Sequence, residues 1–249
     1  MMKMSTNLWN QRSETPYLSG NMLHIWKIML PLDEDLLSRL QSHLSNDEIQ
    51  RLNNIIVDLD KKKFIAARGI LRELIGSYLT IAPHKIQFSQ NPYGKPYLAE
   101  NLLTFNVSHS HDCIIFGFTH DDPLGVDIEY CKVDFDLLSV AQDFCTNNEL
   151  QKLLSLTEEE RSLGFYRCWT RKEAVLKAIG LGLYFPLKAL EVSLLSTEAI
   201  SIINLEEKLS NNTRWNLMEI NPAQNYIGAI ASTKKFDNIF QWDWNLLRS

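Results

Sequence analysis

The sequence predicts an α+β protein built from two similar tandem lobes, each with helices packed on a small antiparallel sheet. Two observations predict this class. Stretches with a helical period of about 3.6 residues are interspersed with short stretches that alternate with a period of two. In addition, "LDEDLLSRLQSHLSNDEIQRL" from Leu32 aligns without a gap with "VDFDLLSVAQDFCTNNELQKL" from Val133. Self-similarity at a spacing of roughly 100 residues indicates two copies of a domain-sized unit rather than a short-repeat solenoid.

The aligned segments share acidic, amide and leucine positions. The matching pairs are Asp33 with Asp134, Asp35 with Asp136, Gln41 with Gln142, Asn46 with Asn147, Glu48 with Glu149 and Leu52 with Leu153. Chance similarity between amphipathic helices is the alternative explanation. A duplication predicts a pseudo-twofold pair, with residues 1–122 as the first lobe and residues 123–249 as the second. Residues 1–20 would form an irregular arm, and the cleft between the lobes is the natural place for a ligand.

The predicted elements follow the same order in both halves. In the first half, the strand "LHIWKIML" precedes helical stretches and the long helix "DKKKFIAARGILRELIGSYL", and strands follow near "KIQFS", "LTFNVSHS" and "CIIFGFTH". In the second half, the strand "LGVDIEY" precedes helical stretches that end in "FYRCWTRKEAVLKAIG", and strands follow near "ALEVSLL", "RWNLMEI" and "YIGAIAS". Each half therefore packs helices on a small sheet.

Composition places the chain among globular proteins and excludes some partners. Of its 249 residues, 45% are hydrophobic and 22% are charged, and the net charge of -5 is unlike that of a basic nucleic-acid binder. The cysteines lack C-x-x-C pairs and zinc spacing, which is typical of reduced thiols in a cytoplasmic protein. The start has no apolar region of a secretory signal. The apolar runs are far shorter than the ~20 residues of a membrane helix, so we expect no membrane partner.

Two acidic residues share one face of the strand in "PLGVDIEY". Because successive side chains on a strand point to opposite faces, Asp127 and Glu129 lie side by side. One interpretation is that this face of an antiparallel strand is solvated. The other is that the two carboxylates hold a hard cation such as Mg2+, which prefers carboxylate and phosphate oxygens.

The segment "FYRCWTRKEAVLKAIGLGL" predicts a helix that ends at glycines. Glu173 and Lys177 are four residues apart and so share one helix face. They could form an ordinary surface ion pair. Alternatively, Glu173 joins Asp127 and Glu129 at a metal, and Lys177 meets phosphates that the metal holds. Three carboxylates would be poorly tolerated together without a cation.

Three further stretches carry candidate polar residues, each with a plain structural alternative. Lys95 lies between a glycine and a proline in "NPYGKPYL", which could be an ordinary surface turn. "LTFNVSHSHD" directs Asn106 and Ser108 to one face and continues to His109, as an edge strand would. The long helix of the first half begins with a basic run that a solvated face would also explain: Lys61, Lys62, Lys63 and Arg68.

Taken in order, these motifs strongly resemble those of the 4'-phosphopantetheinyl transferases of the two-lobed Sfp type. G-V-D-I-E and W-T-R-K-E-A-x-x-K correspond to the family signature, and the resemblance extends from about Leu23 to about Ser232. The family fold is a pseudo-dimer with the active site between its lobes. The resemblance implies transfer of 4'-phosphopantetheine from coenzyme A to a serine of an apo acyl or peptidyl carrier protein, with release of adenosine 3',5'-bisphosphate by a monomeric enzyme.

The resemblance also implies roles for individual residues. Asp127, Glu129 and Glu173 would bind Mg2+, for which Mn2+ could substitute, and Glu173 and Lys177 would be catalytic. Lys95 and Pro96 would line the nucleotide pocket, while Ser108 and His109 would grip the phosphates of the 3'-phosphoadenosine half. The residues implied in cofactor binding are Arg68, Lys95, Pro96, Asn106, Ser108, His109, Asp127 and Lys177. The region upstream of Arg68 is poorer in basic residues than is usual in the family, and Arg51 is the candidate substitute there.

Two other functions fit the same motifs. A metal-dependent phosphohydrolase would use the three carboxylates with water as the nucleophile and release phosphopantetheine. A degenerate, non-enzymatic binder of coenzyme A would retain only the fold, but the intact carboxylates and Lys177 argue against it. If the chain is a transferase, we expect an acidic carrier protein to dock on residues 133–144, directly after the metal strand.

Overall fold

The computed structural model describes residue 9 and residues 17–99, 103–132, 136–182, 185–205 and 214–245. Most of the predicted N-terminal arm therefore lies outside the described residues. None of the helices in the described part of the chain combines the length and apolar character that a membrane-spanning segment needs.

In the described residues, the first lobe begins and ends with strands and contains three α-helices. Its long helix closes in the left-handed backbone of Thr80 (φ 56°). The elements are β1 (Met22–Met29), α1 (Glu34–Gln41), α2 (Asn46–Asn54), α3 (Asp58–Leu79), β2 (Phe88–Gln90), β3 (Pro96–Leu98), β4 (Thr104–Ser110) and β5 (Cys113–Thr119).

Within the described residues, the second lobe repeats this order and adds one strand. Its elements are β6 (Leu124–Tyr130), α4 (Leu137–Phe144), α5 (Asn147–Leu154), α6 (Glu158–Ile179), β7 (Leu190–Val192), β8 (Ile202–Leu205), β9 (Asn216–Ile220), β10 (Tyr226–Ser232) and β11 (Asn238–Asp243). The long helices α3 and α6 each contain 22 residues. The predicted class, α+β with two similar tandem lobes, is confirmed.

The final strand returns to the sheet of the first lobe. The larger sheet has the order β11-β1-β5-β4, and the sheet of the second lobe has the order β6-β10-β9. β11 pairs with β1 in parallel, and Trp242 stacks on Trp26 at 4.9 Å between ring centroids. The Asn245 side chain then accepts from the Met29 N–H and donates to the Met29 carbonyl. The division predicted after residue 122 assigns β11 to the second lobe by sequence, but its partners lie in the first.

The two copies of the repeat start their second helix in the same way. Ser45 caps α2 and Thr146 caps α5, and each hydroxyl accepts from the N–H three residues ahead. Glu48 and Glu149 complete the capping boxes by accepting from the backbone N–H of the cap. A capping box satisfies two N–H groups that the helix itself cannot pair. The matched pairs Asn46–Asn147 and Glu48–Glu149 therefore mark a helix start in each copy.

The same two glutamates form buried ion pairs with the long helices. Arg72 of α3 donates to Glu48 at 2.7 Å, and Lys172 of α6 lies 2.6 Å from Glu149. All four side chains are at least nine-tenths buried. Since an unpaired charge at such depth is costly, each pair ties its short helix to the long one.

The two sheets meet at a seam formed by β4 and β6. The two strands lie side by side without forming a continuous sheet. Side chains of β4, rather than its backbone carbonyls, accept hydrogen bonds from the backbone of β6. These side chains occupy alternate positions and accept from alternate N–H groups on the edge of β6 that β10 leaves uncovered. The pairs are Asn106 with Val126 (2.8 Å), Ser108 with Ile128 (3.2 Å) and Ser110 with Tyr130 (3.0 Å).

Candidate active site

The candidate site lies where β6 passes directly against α6. A Cβ atom on Gly125 would lie only 1.9 Å from the Ala174 carbonyl oxygen and 2.5 Å from the Ala178 nitrogen. Only glycine therefore permits this approach of strand and helix. The approach places the carboxylates of β6 beside Glu173 and Lys177 of α6.

Asp127 is the most deeply buried acid of the site, with 4% of its surface exposed. Its Oδ1 atom lies 2.6 Å from the Lys177 ammonium and accepts from the Ser108 hydroxyl at 3.0 Å. Lys177 also donates to Ser108 at 3.0 Å. Burial raises the pKa of Asp127, and the nearby positive charge of Lys177 opposes that shift. The three side chains form one hydrogen-bonded unit across the seam.

Glu129 lies two residues further along β6 and is half-buried. Its Oε2 atom accepts from the Ser110 hydroxyl at 2.7 Å. Ser110 was not among the candidates from the sequence. The period-two pattern contained the signal, because Ser110 follows Ser108 on the same face of β4.

Glu173 faces the same region from α6 and has a perturbed pKa. Burial and the negative charge of Asp127 raise the pKa of Glu173 to about 7, with a smaller contribution from Glu129, while Lys177 lowers it. A carboxyl group with such a pKa can accept or release a proton near neutral pH. Its position beside two other acids follows from the close contact of β6 with α6.

The donor atoms of this cluster fit a hard divalent cation. Among the described residues, Asp127 Oδ2 and Glu173 Oε1 are buried and have no hydrogen-bond partner. Buried carboxylate oxygens normally find partners, and Mg2+ binds such oxygens. The donor atoms of Asp127, Glu129 and Glu173 do not all lie within 4.8 Å of one another, so holding one ion requires side-chain rotation.

A tighter trio of potential ligands lies elsewhere in the described part of the chain. The side chains of Cys145, Glu149 and Cys168 have donor atoms within 4.8 Å of one another. The Glu149 carboxylate, however, already pairs with Lys172 and accepts from the N–H of Val192. The Glu149 carboxylate therefore belongs to the ion pair that joins α5 to α6, and we do not interpret the three side chains as a metal site.

Lys95 joins the two lobes instead of pointing into open space. Its ammonium donates to the Leu124 carbonyl at 3.1 Å and to the Ala178 carbonyl at 3.0 Å. It thereby fastens the turn before β3 to the start of β6 and the end of α6. Burial lowers the pKa of Lys95 to about 8. The Lys95 ammonium is thus engaged by backbone carbonyls, and its place in the nucleotide pocket stays a prediction.

We expect Lys95→Met to lower the free energy of unfolding by about 1–3 kcal/mol, because two buried carbonyl oxygens lose their donor. Chemical denaturation would measure this loss, with Lys85→Met at an exposed position as the control.

The lowered pKa of Lys95 also predicts how stability depends on pH. With a folded-state pKa of about 8 and an ordinary value of 10.5, the unfolded chain binds more protons between these pH values. The wild type should therefore gain stability relative to Lys95→Met from pH 8 to 10.5. A difference in unfolding free energy between the wild type and Lys95→Met that stays constant across this range would contradict the lowered pKa of Lys95.

Four of the eight predicted cofactor-binding residues border one or both of two cavities, whereas Lys95, Ser108, Asp127 and Lys177 border neither. One, of about 400 Å3, is bordered by Arg68, Pro96, Asn106 and His109 together with Lys63. Arg68 and Pro96 also border the second cavity, as does Arg51. The Arg68 guanidinium donates to Glu48 at 2.6 Å, so it is already paired with an acid. Partial burial and the positive charges of Lys177 and Lys63 lower the pKa of His109.

Comparison with known proteins identifies the family. Residues 123–231 match the 4'-phosphopantetheinyl transferase superfamily, and residues 29–118 match the N-terminal region of 4'-phosphopantetheinyl transferases. The chain is 34% identical to the 4'-phosphopantetheinyl transferase HetI of Nostoc sp., over 92% of this chain and 94% of HetI. It is 29% identical to the 4'-phosphopantetheinyl transferase Sfp of Bacillus subtilis, over 69% of this chain and 76% of Sfp.

A two-lobed α+β fold with an acidic cluster between strand and helix thus occurs in a chain that matches HetI over nearly its full length. The chain belongs to the 4'-phosphopantetheinyl transferase superfamily, in its Sfp type. It is an enzyme, a phosphopantetheinyl transferase. The resemblance drawn from the sequence motifs is confirmed.

Proposed function

We propose that the protein transfers the 4'-phosphopantetheine group of coenzyme A to a serine of an apo acyl or peptidyl carrier protein. The reaction depends on Mg2+ at Asp127, Glu129 and Glu173 and releases adenosine 3',5'-bisphosphate. The observation that supports it most directly is the pair of buried, unpartnered carboxylate oxygens of Asp127 and Glu173 beside the Lys177 ammonium. Such a cluster attracts a cation that brings phosphate oxygens with it.

Charge neutralisation is the main task in phosphoryl transfer. Bound Mg2+ would polarise the diphosphate of coenzyme A and offset charge on the leaving group. Lys177 supplies a fixed positive charge at the same place, and its side chain is 28% exposed, so the ammonium can reach a ligand from its position beside Asp127. Ser108 donates its one hydroxyl proton to Asp127. In this geometry we therefore expect His109, rather than Ser108, to contact the phosphate of the 3'-phosphoadenosine half of coenzyme A.

Glu173 is the residue that would accept the proton of the attacking serine. A carboxylate at the metal can accept a proton at the moment of attack, and Glu173 lies near both Asp127 and Lys177, where the attacking hydroxyl would arrive. One carboxylate can bind the metal through one oxygen and accept a proton at the other. We therefore assign Glu173 both roles.

We expect His109→Ala to weaken binding of coenzyme A by about 3- to 10-fold, because a net hydrogen bond contributes ~0.5–1.5 kcal/mol. Binding of dephospho-coenzyme A should change little, since that ligand lacks the 3'-phosphate that His109 would contact. Isothermal titration calorimetry with both ligands measures the two affinities. His120→Ala, at an exposed site on the β5–β6 turn, is the matched control. Equal weakening for both ligands would place His109 against another part of coenzyme A.

The carrier protein would dock beside the metal strand. Residues 133–135 of the stretch proposed for this contact lie outside the described residues, and α4 forms the remainder. Val140 on α4 is 40% exposed and offers an apolar contact. Residues 133–144 contain three aspartates and no lysine or arginine, so attraction to an acidic carrier protein there would come from apolar contact.

Mass spectrometry of an apo carrier protein mixed with coenzyme A, Mg2+ and this protein tests the proposed reaction. A mass gain of one phosphopantetheine arm on the carrier serine is the expected result. Free phosphopantetheine with an unmodified carrier would indicate the phosphohydrolase. An unchanged mixture would indicate a binder of coenzyme A. Omitting Mg2+ in the presence of a chelator should stop the transfer, and continued transfer would contradict the metal requirement.

A further inference from the structure

We propose that Ser110 is a positioning residue, which holds the Glu129 carboxylate in the orientation needed to bind the active-site metal. This inference rests on the proposed function, because it takes Glu129 as a metal ligand. Ser110 lies at the end of β4 in the first lobe, whereas Glu129 lies on β6 in the second. The residue therefore acts across the seam.

The hydrogen bonds of Ser110 determine the direction of its hydroxyl group. Its Oγ atom lies 3.0 Å from the Tyr130 nitrogen and 2.7 Å from Glu129 Oε2. A serine hydroxyl has one proton to donate, and a backbone N–H can only donate. Ser110 therefore accepts from Tyr130 and donates to Glu129. Because the hydroxyl is anchored on the backbone next to Glu129, it holds one carboxylate oxygen and leaves the other directed elsewhere.

The neighbouring serine makes the same arrangement at the neighbouring acid. Ser108 accepts from the Ile128 N–H and donates to Asp127, two residues before the contacts of Ser110. Two hydroxyls on β4 thus engage two carboxylates on β6 at equal spacing. Ser108 also binds Lys177, so its removal would disturb several groups at once. Ser110 offers the cleaner test, since its side-chain hydrogen bonds among the described residues are to Glu129 and Tyr130.

The surroundings of Ser110 keep it in place. The hairpin that follows turns through His111, whose ring stacks on Tyr130 with centroids 4.8 Å apart. The next residue, Asp112, bonds to the hydroxyl of Tyr226 on β10. Both contacts join the tip of the first lobe's hairpin to the second lobe. A residue that orients a metal ligand needs such support, because small displacements weaken the site.

Binding of Mn2+ gives a readout that is independent of catalysis. We expect Ser110→Ala to weaken Mn2+ binding by about 10- to 100-fold, measured by electron paramagnetic resonance of free Mn2+ in the presence of coenzyme A. Ser110→Thr, which keeps the hydroxyl, should bind Mn2+ nearly as the wild type does. Ser155→Ala removes an exposed hydroxyl that caps a distant helix and serves as the control. Unchanged Mn2+ affinity in Ser110→Ala would overturn the proposal.

A double-mutant cycle separates positioning from a general structural effect. In a Glu129→Gln background, Ser110→Ala should weaken Mn2+ binding further by no more than about twofold, because the ligand it positions is already altered. The same large loss in both backgrounds would show that Ser110 acts elsewhere and would overturn the proposal. If Ser110→Ala fails to fold in a thermal unfolding assay, Ser110→Cys carries the same test.

Experiments on the wild-type protein distinguish failure of the proposed metal-dependent function from failure of the positioning role of Ser110. A wild-type protein that transfers phosphopantetheine without binding Mn2+ or Mg2+ would remove the metal assignment itself. A wild-type protein that binds Mn2+ tightly, together with an unaffected Ser110→Ala, would remove only the positioning role.

Discussion

Asp127→Asn should abolish transfer at any practical Mg2+ concentration, with a loss exceeding roughly 1,000-fold in kcat/KM. The substitution keeps the shape of the side chain but removes its negative charge. The site has few protein ligands, so the loss of one charge weakens the hold on the metal and on the diphosphate together. It also frees the Lys177 ammonium from the acid that now lies 2.6 Å away. Single-turnover transfer to an apo carrier protein measures the effect.

The variant should remain folded. Asp127 is one of three neighbouring acids, and burial already raises its pKa, so a neutral side chain relieves repulsion. Lys177 is partly exposed and can turn to solvent. Asp121→Asn, at an exposed site before β6, is the matched control and should transfer normally. A folded Asp127→Asn with near-normal turnover would show that the metal site lies elsewhere.

Glu173→Gln should lower the rate of transfer by about 100- to 10,000-fold even when the metal site is saturated, because an amide cannot accept the serine proton. The same change should weaken metal binding, since Glu173 Oε1 is a buried oxygen of the acidic cluster that has no hydrogen-bond partner among the described residues. The measurement is single-turnover transfer across a titration with Mg2+ or Mn2+. Glu159→Gln, exposed in the first turn of the same helix, is the control.

The titration separates the two roles of Glu173. Full recovery of the rate at high metal concentration would leave Glu173 as a ligand alone. An unchanged metal affinity with a slow rate would leave it as a base alone. We expect both defects together, because Glu173 lies one helical turn before Lys177 and close to both acids of β6.

The sequence predicted those parts of the site that depend on local pattern. Alternation placed Asp127 and Glu129 on one face of β6, and helical spacing placed Glu173 and Lys177 on one face of α6. The internal repeat predicted two lobes with the same order of elements, and both copies fold accordingly. These features depend on neighbours within a few residues along the chain, which periodicity records.

The parts that the sequence did not predict depend on contacts between distant segments. Lys95 had the pattern of a loop lysine, but its ammonium is bound to carbonyl oxygens of β6 and α6. The partner of Ser110 is a carboxylate in the other lobe. β11 pairs with β1, although the other strands and helices of the second lobe lie between them in the sequence. No local period encodes such partners, because they are set by how the two lobes pack.

Because β11 returns to the sheet of the first lobe, the two lobes are not completed in the order in which they are synthesised. The helices and antiparallel strands of the first lobe leave the ribosome first and can begin to pack. Their outermost strand, with Trp242 and Trp244 buried in the same core, cannot join until all of β6 to β10 has been made. Until then β1 presents an open edge to the growing chain. The lobe that is translated first is thus the last to be finished, and its closing strand arrives only after the acids of the active site have emerged.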